Sequence, residues 1–240
     1  MHISRGEVRK VSIANKFAKL KWRLLKGNKP SLGDIHGKLQ KYLDFDSGFF
    51  IEAGANNGYI QSNTFYLEKS RRWRGVLVEG IPELYQECLR NRPDSLVVNC
   101  ALVSDEYEGD SVLMHFADLM SMVDGAMNDV DAQAKHLSAG VLVQKLDSSY
   151  EVSVPARTLT SVLDAAGVSG SIDFFSLDVE GYELQVLCGL DTSKYRPKYI
   201  LVEIRDFEGV NSWMTSNSYK FVEKISGHDY LYSAADRGTH

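Results

Sequence analysis

Short apolar runs recur along the chain, and several of them end at an acidic residue. Residues 49–51 are Phe-Phe-Ile and precede Glu52, and residues 75–79 read Gly-Val-Leu-Val before closing at Glu79. Apolar residues in immediate succession are typical of strands that are buried on both faces of a sheet. Because such runs alternate with segments of helical spacing, the pattern predicts an α/β fold with a parallel sheet.

The same patterns predict the other elements. We expect helices over residues 8–26, 35–43, 60–69, from Pro82 onward and over 158–166; strands over 96–102, 111–116, 151–155, 172–177 and 199–204; and a closing hairpin over 219–223 and 229–233. Residues 117–150 are polar and have no clear period. A loop this long inside a compact domain is usually functional, so we expect it to be a lid over the active site.

The net charge of −5 is unevenly distributed. Residues 1–30 hold nine Lys or Arg against the single acid Glu7, a balance of +8, so the remaining chain carries −13. Two interpretations of this basic segment stay open. It is a helix packed on its own acidic body, or a cationic amphipathic arm that lies on an anionic membrane surface or holds an anionic substrate. We expect a basic helical extension over residues 1–45 and one further domain over 46–240.

A chain of 240 residues is long enough for one α/β domain with additions. Cys88, Cys100 and Cys188 lie far apart in apolar segments without a CxxC pair, which predicts reduced core thiols in a cytoplasmic protein. No apolar stretch approaches the roughly 20 residues that span a bilayer, and the N-terminus lacks the apolar region of a signal peptide. We expect a cytoplasmic protein, with peripheral membrane contact through its N-terminus left open and no nucleic-acid partner. The oligomeric state is not predicted.

Gly54 and Gly58 follow the first strand with Ala53 and Ala55 beside them. Glycine lets the backbone turn sharply and approach a ligand closely. The dinucleotide-binding fingerprint would need a third glycine. The spacing E-x-G-x-x-x-G instead resembles motif I of class I S-adenosylmethionine (SAM) methyltransferases, in which this turn passes under the methionine part of the cofactor.

Polar residues at two further positions have a structural and a functional interpretation. Glu79, at the end of the second strand, is either a solvated strand-end acid or an acceptor for both ribose hydroxyls of a nucleotide, and the glycine turn favours the second. Residues 61–64, Gln-Ser-Asn-Thr, either cap a helix or contact a cofactor or substrate, and the sequence does not decide between these.

The segments IEAGANNGY, VLVEGIPELYQ, NCALVS, VPARTL, IDFFSLDVEGYELQVLCGL and YILVEI occur in this order over residues 49–204. Together they resemble the FkbM family of SAM-dependent methyltransferases. The resemblance implies a class I Rossmann-like doubly wound sheet, here with a β-strand and loop insertion and an N-terminal helical arm. It also implies O-methylation of a hydroxyl on a saccharide, in nucleotide-, lipid- or polysaccharide-linked form, or on a related natural product. The residues expected to bind SAM are Glu52, Gly54, Ala55, Asn56, Gly58, Tyr59, Ser62, Glu79, Gly80, Ala101 and Asp178.

Three acidic residues are also candidates for the catalytic step itself. Methyl transfer to a hydroxyl needs an aligned acceptor oxygen and a group that removes its proton. Asp178, Glu180 and Glu203 end adjacent predicted strands, so they could include a general base, or Asp178 and Glu203 could hold Mg²⁺ or Mn²⁺. His115 is a second candidate base. The structural alternatives are an N-cap for Asp178, dipole compensation for Glu180, and an ordinary structural histidine for His115.

Two other functions compete with methyl transfer. A non-catalytic protein could keep the fold and dock through its basic arm, although the intact Glu52, Gly54, Gly58, Glu79 and Asp178 speak against this. An NAD-dependent oxidoreductase is disfavoured because the third glycine is missing. SAM is therefore the expected cofactor, and a small molecule or glycan is the expected substrate.

Overall fold

A computed structural model describes residues 13–116, 122–123 and 150–235. The helices are α1 Ile13–Lys26, α2 Ile35–Leu43, α3 Phe65–Arg71, α4 Pro82–Asn91, α5 Leu159–Ala165, α6 Glu183–Cys188 and α7 Phe207–Ser216. The strands are β1 Phe49–Ala53, β2 Arg74–Val78, β3 Leu96–Val98, β4 Ala101–Val103, β5 Ser111–Phe116, β6 Met122–Val123, β7 Tyr150–Thr158, β8 Phe174–Leu177, β9 Tyr199–Glu203, β10 Tyr219–Lys224 and β11 Asp229–Ala234.

Seven strands form the central sheet in the order β10-β11-β9-β8-β1-β2-β3. The five strands from β9 to β3 are parallel, and β11 joins β9 antiparallel. Buried apolar residues of α5, α6 and α7 cover one face of the sheet, and those of α2, α3 and α4 contribute to the cluster on the other. This arrangement explains why the strands are apolar on both sides, and it confirms the predicted α/β class.

A second sheet of four strands, in the order β4-β7-β5-β6, lies beside the first. The strands predicted over 111–116 and 151–155 are confirmed as β5 and part of β7, and they pair antiparallel with Ser111 opposite Pro155. The strand predicted over 96–102 is wrong as a single element. It divides at Asn99, whose side-chain amide donates to the carbonyl oxygens of Glu79 and Gly80, each at 2.7 Å. As a result β3 belongs to the central sheet and β4 to the second one.

The helix predicted over 60–69 begins later than expected. Ser62 Oγ accepts from the backbone N–H of Phe65 at 3.1 Å, and Asn57 Oδ1 accepts from the N–H of Tyr59 and Ile60. These side-chain acceptors hold residues 57–62 in turns, so α3 starts only at Phe65. The capping interpretation of this polar stretch is therefore supported for Ser62.

The N-terminal segment packs on the body through its basic side chains. Lys19 Nζ lies 3.1 Å from a carboxylate oxygen of Glu87, and Arg23 donates to Asn91 Oδ1 at 2.8 Å. The next helix, α2, buries Ile35 and its apolar neighbours in the cluster under the central sheet, so residues 35–43 are part of the domain core. None of the helices in the described part of the chain is long and apolar enough to cross a bilayer.

Of the three cysteines, Cys88 and Cys100 are buried free thiols, as predicted. Cys188 is exposed at the last position of α6, so its prediction as a core thiol is wrong. The segment expected to be a lid falls mostly outside the described residues. The part of it that is described is β6, which pairs with β5 and places Val123 opposite Met114.

Candidate active site

A cavity of about 340 Å³ lies at the carboxyl ends of β1, β2, β8 and β9. Parallel strands of an open α/β sheet place their ligand crevice at this edge. The volume is within the range of pockets that hold small molecules. Of the residues predicted to act here, those that line the cavity are Glu52, Gly54, Ala55, Asn56, Ser62, Glu79, Gly80, Ala101, Asp178, Glu180 and Glu203.

The glycine turn is built against the end of β8. Gly54 has φ +78°, a left-handed conformation, and a Cβ at this position would lie 1.7 Å from the carbonyl oxygen of Asp178. The backbone N–H groups of Gly54 and Ala55 both donate to the carbonyl of Val78 at 3.1 Å. Only glycine fits here, because both the backbone angle and the contact with Asp178 exclude a side chain.

Glu79 holds the opposite side of the turn. Its Oε2 accepts from the N–H of Asn56 at 2.7 Å, and its Oε1 accepts from the N–H of Ile81 at 2.8 Å. The residue is buried and lines the cavity. The next residue, Gly80, packs closely on the end of the Met114 side chain, since a Cβ there would lie 2.3 Å from the sulfur. Glu79 is therefore a preorganised carboxylate that faces the cavity from a fixed position.

Glu52 lies beneath the turn and is also buried. One of its oxygens, Oε2, accepts from Ser62 Oγ at 2.9 Å and from Thr64 Oγ1 at 2.6 Å, and the other accepts from the N–H of Asn63 at 3.1 Å. Ser62 is thus fixed by Glu52 even though both residues line the cavity. Their contacts within the chain show that they shape this wall.

Arg92 holds the cavity wall in place, and the sequence analysis did not single it out. It follows α4, is fully buried, and lies between two carboxylates, with Nη1 3.1 Å from Glu52 and Nε 2.9 Å from Glu68. Nη1 also donates to Ser62 Oγ at 3.2 Å, and Nη2 donates to Thr64 Oγ1 at 2.8 Å. The guanidinium group therefore ties α4 to the whole segment between β1 and α3.

Two residues predicted to bind the cofactor lie away from the cavity. A Cβ on Gly58 would meet Cys88 Sγ and Arg92 Cγ, each at 2.7 Å, so this glycine allows α4 to approach the turn. The hydroxyl of Tyr59 donates to the carbonyl of Gly27 at 2.8 Å, and its ring lies 4.5 Å from the Arg23 guanidinium. Neither residue lines the cavity, and the contacts described for them are with other parts of the chain; their contact with SAM stays a prediction.

His115 also lies outside the cavity wall, so its role as a base stays a prediction from the sequence. Successive side chains of a strand point to opposite faces, and in β5 it is Met114 that faces the cavity. His115 Nδ1 lies 3.7 Å from Glu151 on the paired strand β7. The structure therefore does not place this imidazole where it could remove a proton from a substrate in the cavity.

Three carboxylates meet at the carboxyl ends of β8 and β9. These strands are parallel neighbours with Leu177 opposite Val202, so the next residues, Asp178 and Glu203, are adjacent as predicted. Glu180 has φ +56° and forms an ion pair with Arg205. The Arg205 guanidinium also lies 3.6 Å from Glu203. The positive charge of Arg205 thus lies close to two of the three carboxylates, those of Glu180 and Glu203.

Burial shifts the protonation of this cluster. It raises the pKa of Asp178 well above its ordinary value, and the charges of Glu203 and Glu180 add to that rise. Burial also raises the pKa of Glu180, to about 7, although Arg205 opposes the shift. Asp178 is not the N-cap of α6, because that position is occupied by Tyr182. The Oδ1 of Asp178 is buried without a hydrogen-bond partner among the described residues. Its carboxyl group is therefore available to a ligand.

The structure does not group these acids as a metal site. Within residues 13–116, 122–123 and 150–235, no three His, Cys, Asp or Glu side chains are arranged to hold a metal ion. The positive charge near Glu180 and Glu203 is the guanidinium of Arg205. Mg²⁺ or Mn²⁺ bound by Asp178 and Glu203 remains a prediction from the sequence, and no chemical step below depends on it.

Asn63 is a further polar group that the cavity exposes. Its side-chain Nδ2 donates to Ser176 Oγ at 3.1 Å, while its Oδ1 is buried without a partner in the described chain. The sequence placed Asn63 in an ambiguous polar stretch and did not single it out. Asn63 and Asp178 together present two unsatisfied acceptors, which are suited to a ligand that donates hydrogen bonds.

Comparison with known proteins identifies the family. The Methyltransferase FkbM domain matches residues 52–232. No curated protein sequence matches this chain.

Solved methyltransferases are among the structures similar to this chain. Human methyltransferase 10 domain containing protein is 9% identical, with a TM-score of 0.50 over 92% of this chain and 94% of that chain. A TehB-like SAM-dependent methyltransferase from Corynebacterium glutamicum is 8% identical, with a TM-score of 0.45 over 92% and 98% of the two chains. These likenesses concern the fold alone. The class I Rossmann-like fold is confirmed, and because the family match covers most of the sequence, the chain belongs to the FkbM methyltransferase family.

Proposed function

We propose that this protein transfers the methyl group of SAM to a hydroxyl oxygen of a saccharide, in nucleotide-, lipid- or polysaccharide-linked form, or of a related natural product. The family and the fold support SAM-dependent methyl transfer in general. The assignment of a hydroxyl as the acceptor rests on one observation. A carboxylate oxygen of Asp178 is buried in the cavity wall and has no hydrogen-bond partner among the described residues. A hydroxyl acceptor needs such a group, because its proton must leave as the new bond forms.

The groups of the cavity fit SAM by their chemistry. SAM carries an ammonium group and ribose hydroxyls that donate hydrogen bonds, and a positively charged sulfonium. Asn63 Oδ1 and Asp178 Oδ1 are acceptors without partners in the described chain. Glu79 is a buried carboxylate at the end of β2, the position from which the ribose hydroxyls would be bound. Negative charge at the ends of β8 and β9 favours a cationic ligand.

When bound, SAM supplies an electrophilic methyl group on its sulfonium sulfur. The acceptor oxygen would receive this methyl group, and the sulfur would keep the electron pair of the carbon–sulfur bond. We assign Asp178 as the group that takes the hydroxyl proton. Its raised pKa makes it a stronger base than an ordinary aspartate once it is ionised, and the sulfonium charge would favour that ionised form. Glu180 and Glu203, with Arg205, would set the charge around it.

The variant Asp178→Asn tests this assignment. Asparagine keeps the size of the side chain and cannot accept the proton, so we expect SAM to bind within about tenfold of its parent affinity while methyl transfer falls by about 10²- to 10⁴-fold. Calorimetric titration with SAM and a methyl-transfer assay give the two readings. Full transfer by a folded Asp178→Asn protein would contradict the role of Asp178.

The acceptor class is tested in cells and then with purified protein. Mass spectrometry of carbohydrate extracts, with and without this gene, should reveal a saccharide that lacks one methyl group when the gene is absent. Fragmentation then locates the methyl group on oxygen, nitrogen or carbon. SAM binding without any methylated product would instead support the non-catalytic alternative. Turnover after EDTA treatment, compared with turnover after Mg²⁺ or Mn²⁺ is restored, tests the metal prediction separately.

A further inference from the structure

The outward face of α1 is apolar. Leu20 is 54% exposed, Leu24 is 78% exposed and Leu25 is 73% exposed. Lys21 lies between them and is also exposed. Single exposed leucines are common on protein surfaces, but three within two helical turns form a patch. We call Leu20, Leu24 and Leu25 the leucine face.

The basic side chains on the other side of α1 are turned toward the protein. Lys19 pairs with Glu87, and Arg23 contacts both Asn91 and the ring of Tyr59. Lys26 Nζ donates to the carbonyl of Ser31 at 3.1 Å. This is the reverse of the usual surface helix, which buries its apolar stripe and leaves its charges in water. The contacts described here for the basic side chains of α1 are therefore polar, and within the described part of the chain its three leucines are exposed.

The charge of the segment around α1 indicates which kind of partner the leucine face binds. Residues 13–33 contain six Lys or Arg and no acid. Lys19 is compensated by Glu87 of the body, whereas Lys21 is exposed among the leucines. A second copy of this chain would bring the same positive segment with it if it docked through the same face. An anionic bilayer surface attracts the segment and offers an apolar layer beneath the headgroups. We propose that the leucine face is a docking surface for a bilayer that contains anionic phospholipids.

The position of α1 relates this surface to the cavity. Leu32 follows α1, is 50% exposed and also lines the cavity. The carbonyl of Gly27, at the end of α1, accepts from Tyr59, which follows the glycine turn. Docking through the leucine face would bring the cavity close to the lipid headgroups, where a lipid-linked acceptor is present. This last step rests on the proposed function, whereas the docking itself does not.

The experiment measures co-sedimentation of the full-length protein with vesicles of phosphatidylcholine alone, or of phosphatidylcholine with phosphatidylglycerol. We expect binding to the anionic vesicles, weaker binding to the neutral ones, and a decrease at high salt. The double variant Leu24→Ser and Leu25→Ser should bind at least about tenfold more weakly, because two leucines can no longer enter the apolar layer. Its unfolding temperature and SAM affinity should equal those of the parent, since both side chains are exposed.

The matched control is the double variant Leu96→Ser and Leu113→Ser, which removes two exposed leucines from β3 and β5. We expect it to bind vesicles like the parent. Equal binding by the Leu24/Leu25 variant and the parent would overturn the proposal, as would absence of binding by the parent. A parent dimer that becomes a monomer in the Leu24/Leu25 variant, without a change in vesicle binding, would show that a second copy covers this face. None of these readings requires methyl transfer, so they remain interpretable if the proposed function fails.

Discussion

Arg92 has no exposed surface and compensates two buried carboxylates, those of Glu52 and Glu68. Removing one member of such a group leaves uncompensated charge in the interior, which typically costs about 3–5 kcal/mol. We therefore expect Arg92→Met to lower the free energy of unfolding by roughly that amount. Urea denaturation measures the effect.

The control for Arg92 is Arg90→Met, which changes the same residue type at an exposed position in the last turn of α4, just before Arg92. It should change stability by less than about 0.5 kcal/mol. A similar small loss in both variants would mean that the buried ion pairs contribute nothing beyond the packing of the side chain.

A second prediction concerns the buried carboxylate of Glu79. Its two oxygens already accept from the backbone N–H of Asn56 and Ile81, so the carboxylate is held in place before a ligand arrives. Glu79→Gln keeps the size of the side chain but loses the charge, and its amide nitrogen cannot accept from one of the two backbone N–H groups. We expect a roughly tenfold loss of SAM affinity, because charge-assisted hydrogen bonds are about twice as strong as neutral ones.

Calorimetric titration compares Glu79→Gln with Glu208→Gln, which alters an exposed glutamate in the first turn of α7. The Glu208 variant should bind SAM like the parent. If the folded Glu79 variant does so as well, Glu79 maintains the turn and does not contact the cofactor.

Among the elements, the turn between β1 and α3 depends on one glycine. Gly54→Ala would require a left-handed alanine and would place its Cβ 1.7 Å from the carbonyl of Asp178. The turn must move, and with it Ala55 and Asn56 in the cavity wall. We expect a marked loss of SAM binding together with lower stability. Gly167→Ala separates the two causes, because Gly167 also has a positive φ, +65°, but nothing lies within 4 Å of its Cβ position.

The Gly167 control should lose a modest amount of stability, about 1–2 kcal/mol from the backbone conformation alone, and keep its SAM affinity. Equal effects of the two substitutions on SAM binding would show that the contact with Asp178 is unimportant.

Elements with a strong local pattern could be predicted from the sequence, and elements decided by distant contacts could not. The runs that became β1, β2, β8 and β9 are apolar because both faces of the sheet are covered, and the acids that end them mark the cavity edge. The division at Asn99 depends on carbonyl groups some 20 residues earlier. The late start of α3 depends on side-chain acceptors at Asn57 and Ser62, whose spacing is also compatible with an earlier helix.

The site residues divide in the same way. Gly54 and Glu79 could be predicted as site residues because each closely follows an apolar run that reads as a strand. Arg92 contacts groups 24 to 40 residues away, and nothing in its own neighbourhood indicates this. The side of β5 that faces the cavity is set by the pairing with β6 and β7, so the sequence showed the alternation of Met114 and His115 without showing which one points inward.

In the molecule as a whole, a group of buried acids links stability to pH: three lie between the end of β8 and the first residue of α6, and the fourth begins β11, opposite Glu203. Burial raises the pKa of Asp178, Glu180, Glu183 and Asp229. A carboxyl group with a raised pKa binds more protons in the folded state than in the unfolded state. Its contribution to stability is fully present below its ordinary pKa and is lost as the pH rises through the folded value. For Glu180 this window runs from 4.5 to about 7.

We therefore expect Glu180→Gln to flatten the decrease of the unfolding temperature between about pH 5 and pH 7.5, since this variant has no proton to lose in that window. A sulfonium near the cluster favours the ionised acids, so SAM should stabilise the parent protein more as the pH rises. Thermal unfolding across this range, with and without SAM, measures both effects, and Glu208→Gln serves as the exposed control. If the unfolding temperature of Glu180→Gln depends on pH as steeply as that of the parent, Glu180 titrates in its ordinary range. Burial and the neighbouring acids would then not raise its pKa.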